Sequence, residues 1–113
     1  MEPDARELDR KFRVLIEAEL VELARQSDGT SEHRKPVELD QQSVGRVSRI
    51  DALQVQAMAN AIEQRRKARQ VALDQALRRM ANGEYGYCAD CGEFIGMKRL
   101  EIDPAALKCV RCA

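Results

Sequence analysis

The sequence predicts a mainly α fold, a long antiparallel α-helical hairpin (in part coiled coil) followed by a small module organised by four cysteines. Three observations carry this reading. Two stretches with helical apolar periodicity flank a segment rich in helix breakers. The 113 residues include two Phe, two Tyr and no Trp, too few aromatics for an ordinary globular core, while 34% of them are charged and the formal charge is zero. That mixture suits long helices with interspersed charges. All four cysteines fall after residue 87, as two Cys-x-x-Cys pairs.

The first helix is expected over residues 3 to about 26. Pro3 suits a first turn, and Asp4-x-x-Glu7 resembles a capping box with Asp in place of the usual Ser or Thr. Leu8, Phe12, Leu15, Ile16, Leu20 and Leu23 recur at spacings of three, four and their sums, one broad packing stripe. A connecting segment follows, about 27–48. Ser27-Asp28-Gly29-Thr30-Ser31 is a breaker cluster, and Pro36 forbids a regular helix through its position. The only histidine, His33, reads as a solvated loop residue.

The second helix is expected over about 49–82. Ser48 offers an oxygen to an orphan N–H of the first turn, and Asp51 faces the positive helix end. Ile50, Leu53, Ala57, Ala61, Ala68, Ala72 and Ala76 suggest a seam of small side chains that another helix can approach closely. Arg78 and Arg79 suit the negative end, and Asn82-Gly83 offers a C-cap. Arg65, Arg66, Lys67 and Arg69 read as a solvated face pairing with acids such as Glu17, Glu19 and Glu22 of the first helix. The chain thus divides into a hairpin, 1–82, and a module, 83–113.

Seventeen residues separate Cys88-Ala-Asp-Cys91 from Cys109-Val-Arg-Cys112. Each turn presents two thiolates to one ion, and the intervening segment folds the turns together, so Cys88, Cys91, Cys109 and Cys112 are the expected ligands of one structural Zn²⁺. Gly92 follows the first pair where the backbone must turn sharply. A thioredoxin-type redox pair belongs near a βαβ pattern, which is absent. Four sulfurs fill the tetrahedron and leave no open position for catalysis. Tyr85, Tyr87, Phe94, Ile95, Leu100, Ile102 and Leu107 are the expected small core of this zinc-finger module, too small to fold without its metal or the adjacent helix.

Several function classes recede. No nucleophile–base pair, phosphate loop or open metal site is found, so an enzyme is not expected. No apolar run approaches about 20 residues. The acidic start Met1-Glu2-Pro3-Asp4 does not read as a signal peptide. Zinc-binding thiols also favour a cytoplasmic protein. Residues 83–113 carry Lys98, Arg99, Lys108 and Arg111 against Glu84, Asp90, Glu93, Glu101 and Asp103. Four positive against five negative charges make no phosphate-binding patch, so direct DNA binding is not expected.

The tail from Gly83-Glu-Tyr-Gly-Tyr-Cys-Ala-Asp-Cys-Gly-Glu-Phe-Ile-Gly-Met-Lys-Arg-Leu-Glu-Ile-Asp-Pro to Cys-Val-Arg-Cys resembles the DksA/TraR family of four-cysteine zinc-finger proteins. The resemblance implies a bacterial transcription regulator that binds RNA polymerase directly. Its hairpin would enter the secondary channel, with the zinc module and its junction resting on the rim. It also implies an indirect link to guanosine tetraphosphate, with which family members act or which they imitate.

The family tip carries two aspartates in D-x-x-D-x-A. Counting back from Cys88 places that pair at Gly45 and Ser48; matching letters starts it at Asp40, with Ser43 as partner. Neither register supplies two carboxylates. Asp103 stands where the family's alarmone-responsive namesake has a basic residue. A helical adaptor that keeps the fold without regulating polymerase is the alternative.

Overall fold

A computed structural model describes residues 3–31 and 46–113, with side chains from Arg49 onward in the second segment. Among these residues are three helices, α1 (Ala5–Gly29), α2 (Arg46–Ala81) and α3 (Met97–Ile102). α1 and α2 pack side by side as the hairpin, and the four-cysteine segment closes one end.

Asp4 caps α1 as its sequence position suggests, its Oδ1 accepting the Glu7 amide at 2.8 Å. The helix does not stop at the breaker cluster. It runs through Gly29, and Thr30 closes it by donating its hydroxyl to the Gln26 carbonyl at 3.0 Å. Breakers are weak local preferences, and hydrogen bonds to neighbouring carbonyls and to α2 outweigh them here. α2 begins at Arg46, so Ser48 lies inside the helix and is not its cap. Nothing in Arg46-Val47 opposes helical dihedrals, and a capping preference of about 1 kcal/mol does not set a boundary alone. Asp40 and Gly45 lie outside the described residues, as do His33 and Pro36.

At its far end α2 stops where Asn82-Gly83 suggests. The Gly83 amide bonds the Met80 carbonyl at 3.2 Å, and the Glu84 amide bonds the Arg79 carbonyl at 2.8 Å. This pair of bonds, with Gly83 at φ 73°, is a Schellman closure.

The seam differs from the expected one. On α2 the less exposed positions include Ala52, Gln56, Ala59, Glu63, Arg66, Gln70, Leu73, Leu77 and Met80, a row alternately four and three residues apart. That is heptad spacing, with polar residues in its middle. Ile50 and Leu53 are about half exposed, and Ala57, Ala61 and Ala68 also face outward; of the expected seam only Ala76 is buried and Ala72 partly so. On α1, Leu8, Phe12 and Ile16 are buried, but Leu15 is 44% exposed. Apolar periodicity selected the wrong face of α2, because the true seam fills several heptad positions with Gln, Glu and Arg.

The core lies where the hairpin meets the cysteine module. Leu8, Phe12 and Ile16 join Leu73, Ala76 and Met80, then Tyr85, Ile95, Leu100 and Ala105, in one buried cluster that includes Cys88 and Cys109. The rings of Phe12 and Tyr85 stand 5.9 Å apart. Gly86 is buried at φ 92°, and a Cβ there would sit 3.0 Å from a Leu8 methyl. Only glycine lets the module's backbone approach α1 this closely. Ile102, an expected core residue, is 86% exposed instead, because it ends the six-residue α3 on the side away from Leu100.

Candidate metal centre

Two turns bring the sulfurs together. In the first, the Cys88 amide bonds the Glu93 carbonyl at 2.8 Å, the Gly92 amide bonds the Cys88 carbonyl at 3.0 Å, and the Asp90 amide lies 3.4 Å from Cys88 Sγ. Gly92 sits at φ 77°, the sharp turn expected of it. In the second, the amides of Cys112 and Ala113 bond the Cys109 carbonyl at 3.1 and 3.0 Å. The Ala89 amide bonds the Leu107 carbonyl at 2.8 Å and holds one turn against the other.

The four Sγ atoms all lie within 4.8 Å of one another, and no pair is a disulfide. Cys91 and Cys109 sulfurs are 3.7 Å apart. Zinc–sulfur bonds of about 2.3 Å set tetrahedral sulfurs about 3.8 Å apart, so this spacing fits a tetrathiolate zinc site. The electrostatics fit as well. The backbone amides of Cys91 and Cys109 lower the Cys88 thiol to about 6, whereas the neighbouring Cys109, Cys88 and Cys91 sulfurs raise Cys112 to about 12. Four sulfurs this close cannot all carry charge without a cation between them, and a dication removes that conflict.

Cys88 and Cys109 are buried against the hydrophobic core; Cys91 is exposed and Cys112 partly so. The site is therefore tied to the hairpin through two of its sulfurs. Polar ties add to this. Arg69 of α2 donates through Nε to Glu19 of α1 at 2.7 Å and through Nη1 to Asp103 of the module at 2.7 Å. Asp103 also accepts the Ala105 amide at 3.1 Å. Lys11 meets Glu101 at 2.7 Å, the Tyr85 hydroxyl donates to the Pro104 carbonyl at 2.6 Å, and Arg79 donates to the Tyr87 carbonyl.

Of the expected interhelix charge pairs, Arg69–Glu19 forms, while Glu22 pairs with Arg25 on its own helix and Glu17 lies 3.9 Å from Arg13. Sequence reading missed the Arg69–Asp103 bond. Its only sequence signal is an acid before Pro104, where Asp103 also closes a turn by accepting the Ala105 amide.

Fold and site together define a helical hairpin carrying a four-cysteine zinc-finger module. Residues 83–113 match the family model described as "Prokaryotic dksA/traR C4-type zinc finger". A 34-residue stretch is 59% identical to the "RNA polymerase-binding transcription factor DksA" of Caulobacter vibrioides, covering 30% of this chain and 24% of that protein. A 40-residue stretch is 38% identical to the protein of the same name from Escherichia coli strain K12, covering 35% of this chain and 26% of that protein. These matches span about a quarter of the length of the curated relatives. Among solved structures, "Structure of transcription factor DksA2 from Pseudomonas aeruginosa" is similar over 98% of this chain and 87% of that one, with a TM-score of 0.75 and 26% identity. The resemblance to the DksA/TraR family thus holds in the sequence of the zinc finger and in the fold of the hairpin and module among the described residues.

Proposed function

We propose that this chain is a transcription regulator that binds RNA polymerase directly, its hairpin entering the secondary channel and its zinc-finger module resting on the rim. The observation that carries this reading is the coincidence of a dksA/traR-type zinc finger with a hairpin of the DksA2 fold on one core. Shape supports it, since the molecule measures 68 × 27 × 20 Å, long and narrow enough to probe a channel. Val55, Met58 and Ile62 are exposed toward the free end of α2, apolar surface available to a partner.

In this reading Cys88, Cys91, Cys109 and Cys112 hold one Zn²⁺, and the metal is structural. It cross-links two turns and supplies no chemistry. The tip is assigned to Asp40, Gly45 and Ser48. Because no register there supplies two carboxylates, the effect on initiation is expected to be weaker than, or different from, that of members with both acids. Dependence on guanosine tetraphosphate would be indirect. The protein would be cytoplasmic and would need no DNA contact of its own; no helix of the described residues is long and apolar enough to cross a membrane.

The missing acid pair favours one other reading, an adaptor that keeps the fold without regulating polymerase. Pull-down with core polymerase, with and without a known secondary-channel factor as competitor, separates the two. Zinc-loaded protein is expected to be retained at micromolar concentration and displaced by the competitor. Absence of association would leave the adaptor.

A further inference from the structure

The seam between α1 and α2 changes chemistry along its length. Near the zinc finger it is apolar, with Phe12 and Ile16 against Leu73 and Met80. Farther out, the buried position of α2 is Glu63, 7% exposed and the one buried charged residue among those described. Its Oε1 accepts the Ser27 hydroxyl at 2.9 Å, and its Oε2 accepts Arg66 Nη1 at 3.3 Å. Arg66 Nη1 also donates to Thr30 Oγ1 at 2.9 Å, and that hydroxyl donates to the Gln26 carbonyl at 3.0 Å. A chain of hydrogen bonds thus runs from α1 to α2 and back to the last turn of α1. No buried side-chain polar atom among the described residues lacks a partner.

The apolar residues do not by themselves fix how the helices align. Leu8, Phe12, Ile16 and Leu20 stand four residues apart, so sliding α1 by one turn largely replaces one large apolar side chain with another. Sliding it one way brings Leu23 to the place of Ser27 and takes the serine hydroxyl from the buried Glu63 carboxylate, a costly loss. Sliding it the other way carries Thr30 a turn away from Arg66. The Glu63–Arg66 pair lies within α2 and survives such a slide. What the slide breaks are its hydrogen bonds to Ser27 and Thr30 of α1, and a buried charge that loses hydrogen bonds penalises that alignment. A single polar residue at a core position sets register in coiled coils by the same logic.

We propose that the Ser27–Glu63–Arg66–Thr30 cluster is a register clasp: it selects one of the alignments the apolar stripes permit and keeps α1 helical past its breaker residues. The clasp therefore sets where the end of α1 lies along α2. It rests on the hairpin's geometry and is independent of the partner.

The test uses full-length, zinc-loaded protein and the double variant E63L/R66L, in which the two hydroxyls can turn to carbonyls of their own helix. Its melting temperature is expected to equal or exceed that of the unaltered protein. The methyl resonances of Leu20 and Leu23 are expected to split into more than one set, and amides of residues 27–30 to exchange about tenfold faster. Leu73→Ala serves as the control, expected to lower the melting temperature while keeping one set of resonances. A single set with unchanged exchange in E63L/R66L overturns the proposal. So does loss of cooperative folding there, since the cluster would then supply stability rather than alignment. Splitting in Leu73→Ala would move the register to the apolar base and overturn it as well.

Discussion

Tyr85 joins the two halves of the molecule through one ring and one hydroxyl. The ring packs against Phe12, and the hydroxyl donates to the Pro104 carbonyl. Burial, and secondarily the charge of Asp103, raise its pKa far above the ordinary value of 10.0. The folded state therefore holds this proton more tightly than the unfolded chain. The stability so contributed is complete below about pH 10 and is lost as pH rises from there toward the folded-state value. Tyr85→Phe removes both the hydrogen bond and the titrating group. It is expected to lower stability at pH 7 by about 1 kcal/mol and to make the decline above pH 10 shallower. Urea melts of both proteins from pH 7 to 11 check this; parallel pH profiles would exclude Tyr85 as a contributor to the alkaline decline. The thiols show another residue-scale effect. Identical side chains acquire opposite shifts, Cys88 down chiefly through backbone amides and Cys112 up chiefly through neighbouring sulfurs.

At the scale of the element, α1 carries one stripe that meets two different partners. Its first half buries Leu8, Phe12 and Ile16 completely, and its last turns exchange apolar packing for hydrogen bonds to α2. Phe12 is fully buried, so Phe12→Ala leaves a cavity in the shared core and is expected to cost about 3–5 kcal/mol. Leu15, on the same sequence stripe, is 44% exposed, and Leu15→Ala is expected to cost less than about 1 kcal/mol. Ala61 points outward, so Ala61→Leu is expected to be tolerated, within about 0.5 kcal/mol. Denaturant midpoints of the three variants give the comparison. Equal losses at Phe12 and Leu15 would contradict the observed facing of α1.

For the whole molecule, the cysteine module and the hairpin base share one hydrophobic cluster, and Arg69 of α2 bonds α1 and the module at once. A module of this size cannot bury enough surface by itself, and α1 without its neighbours exposes its stripe. Metal binding is therefore coupled to the hairpin as well as to the tail. Chelation under reducing conditions is expected to remove far more helical circular dichroism than the six residues of α3 account for. Restoring one equivalent of zinc is expected to restore it, and one equivalent of cobalt to give tetrathiolate absorption. A loss confined to α3 would mean that the hairpin folds by itself.

Much of this protein is legible in the sequence because the relevant signals are local. Two Cys-x-x-Cys turns fix their own geometry within a few residues, Asp4 caps the helix that follows it, and Asn82-Gly83 ends the one before it. Periodicity also gave two long helices. Which face of α2 meets α1 was not legible. Gln56, Glu63 and Arg66 hold seam positions although their side chains are polar, and their partners, such as Ser27 and Thr30, lie more than thirty residues away in the chain. The same holds for α1's extension through Gly29 and for the Arg69–Asp103 tie. Local propensity is worth about 1 kcal/mol or less per residue, and a hydrogen bond from a distant helix can reverse it. The sequence by itself determined the clustering of the four cysteines and the helical character. Tertiary structure decided the register, the seam and the joining of hairpin to zinc finger, because those depend on pairings that no local window contains.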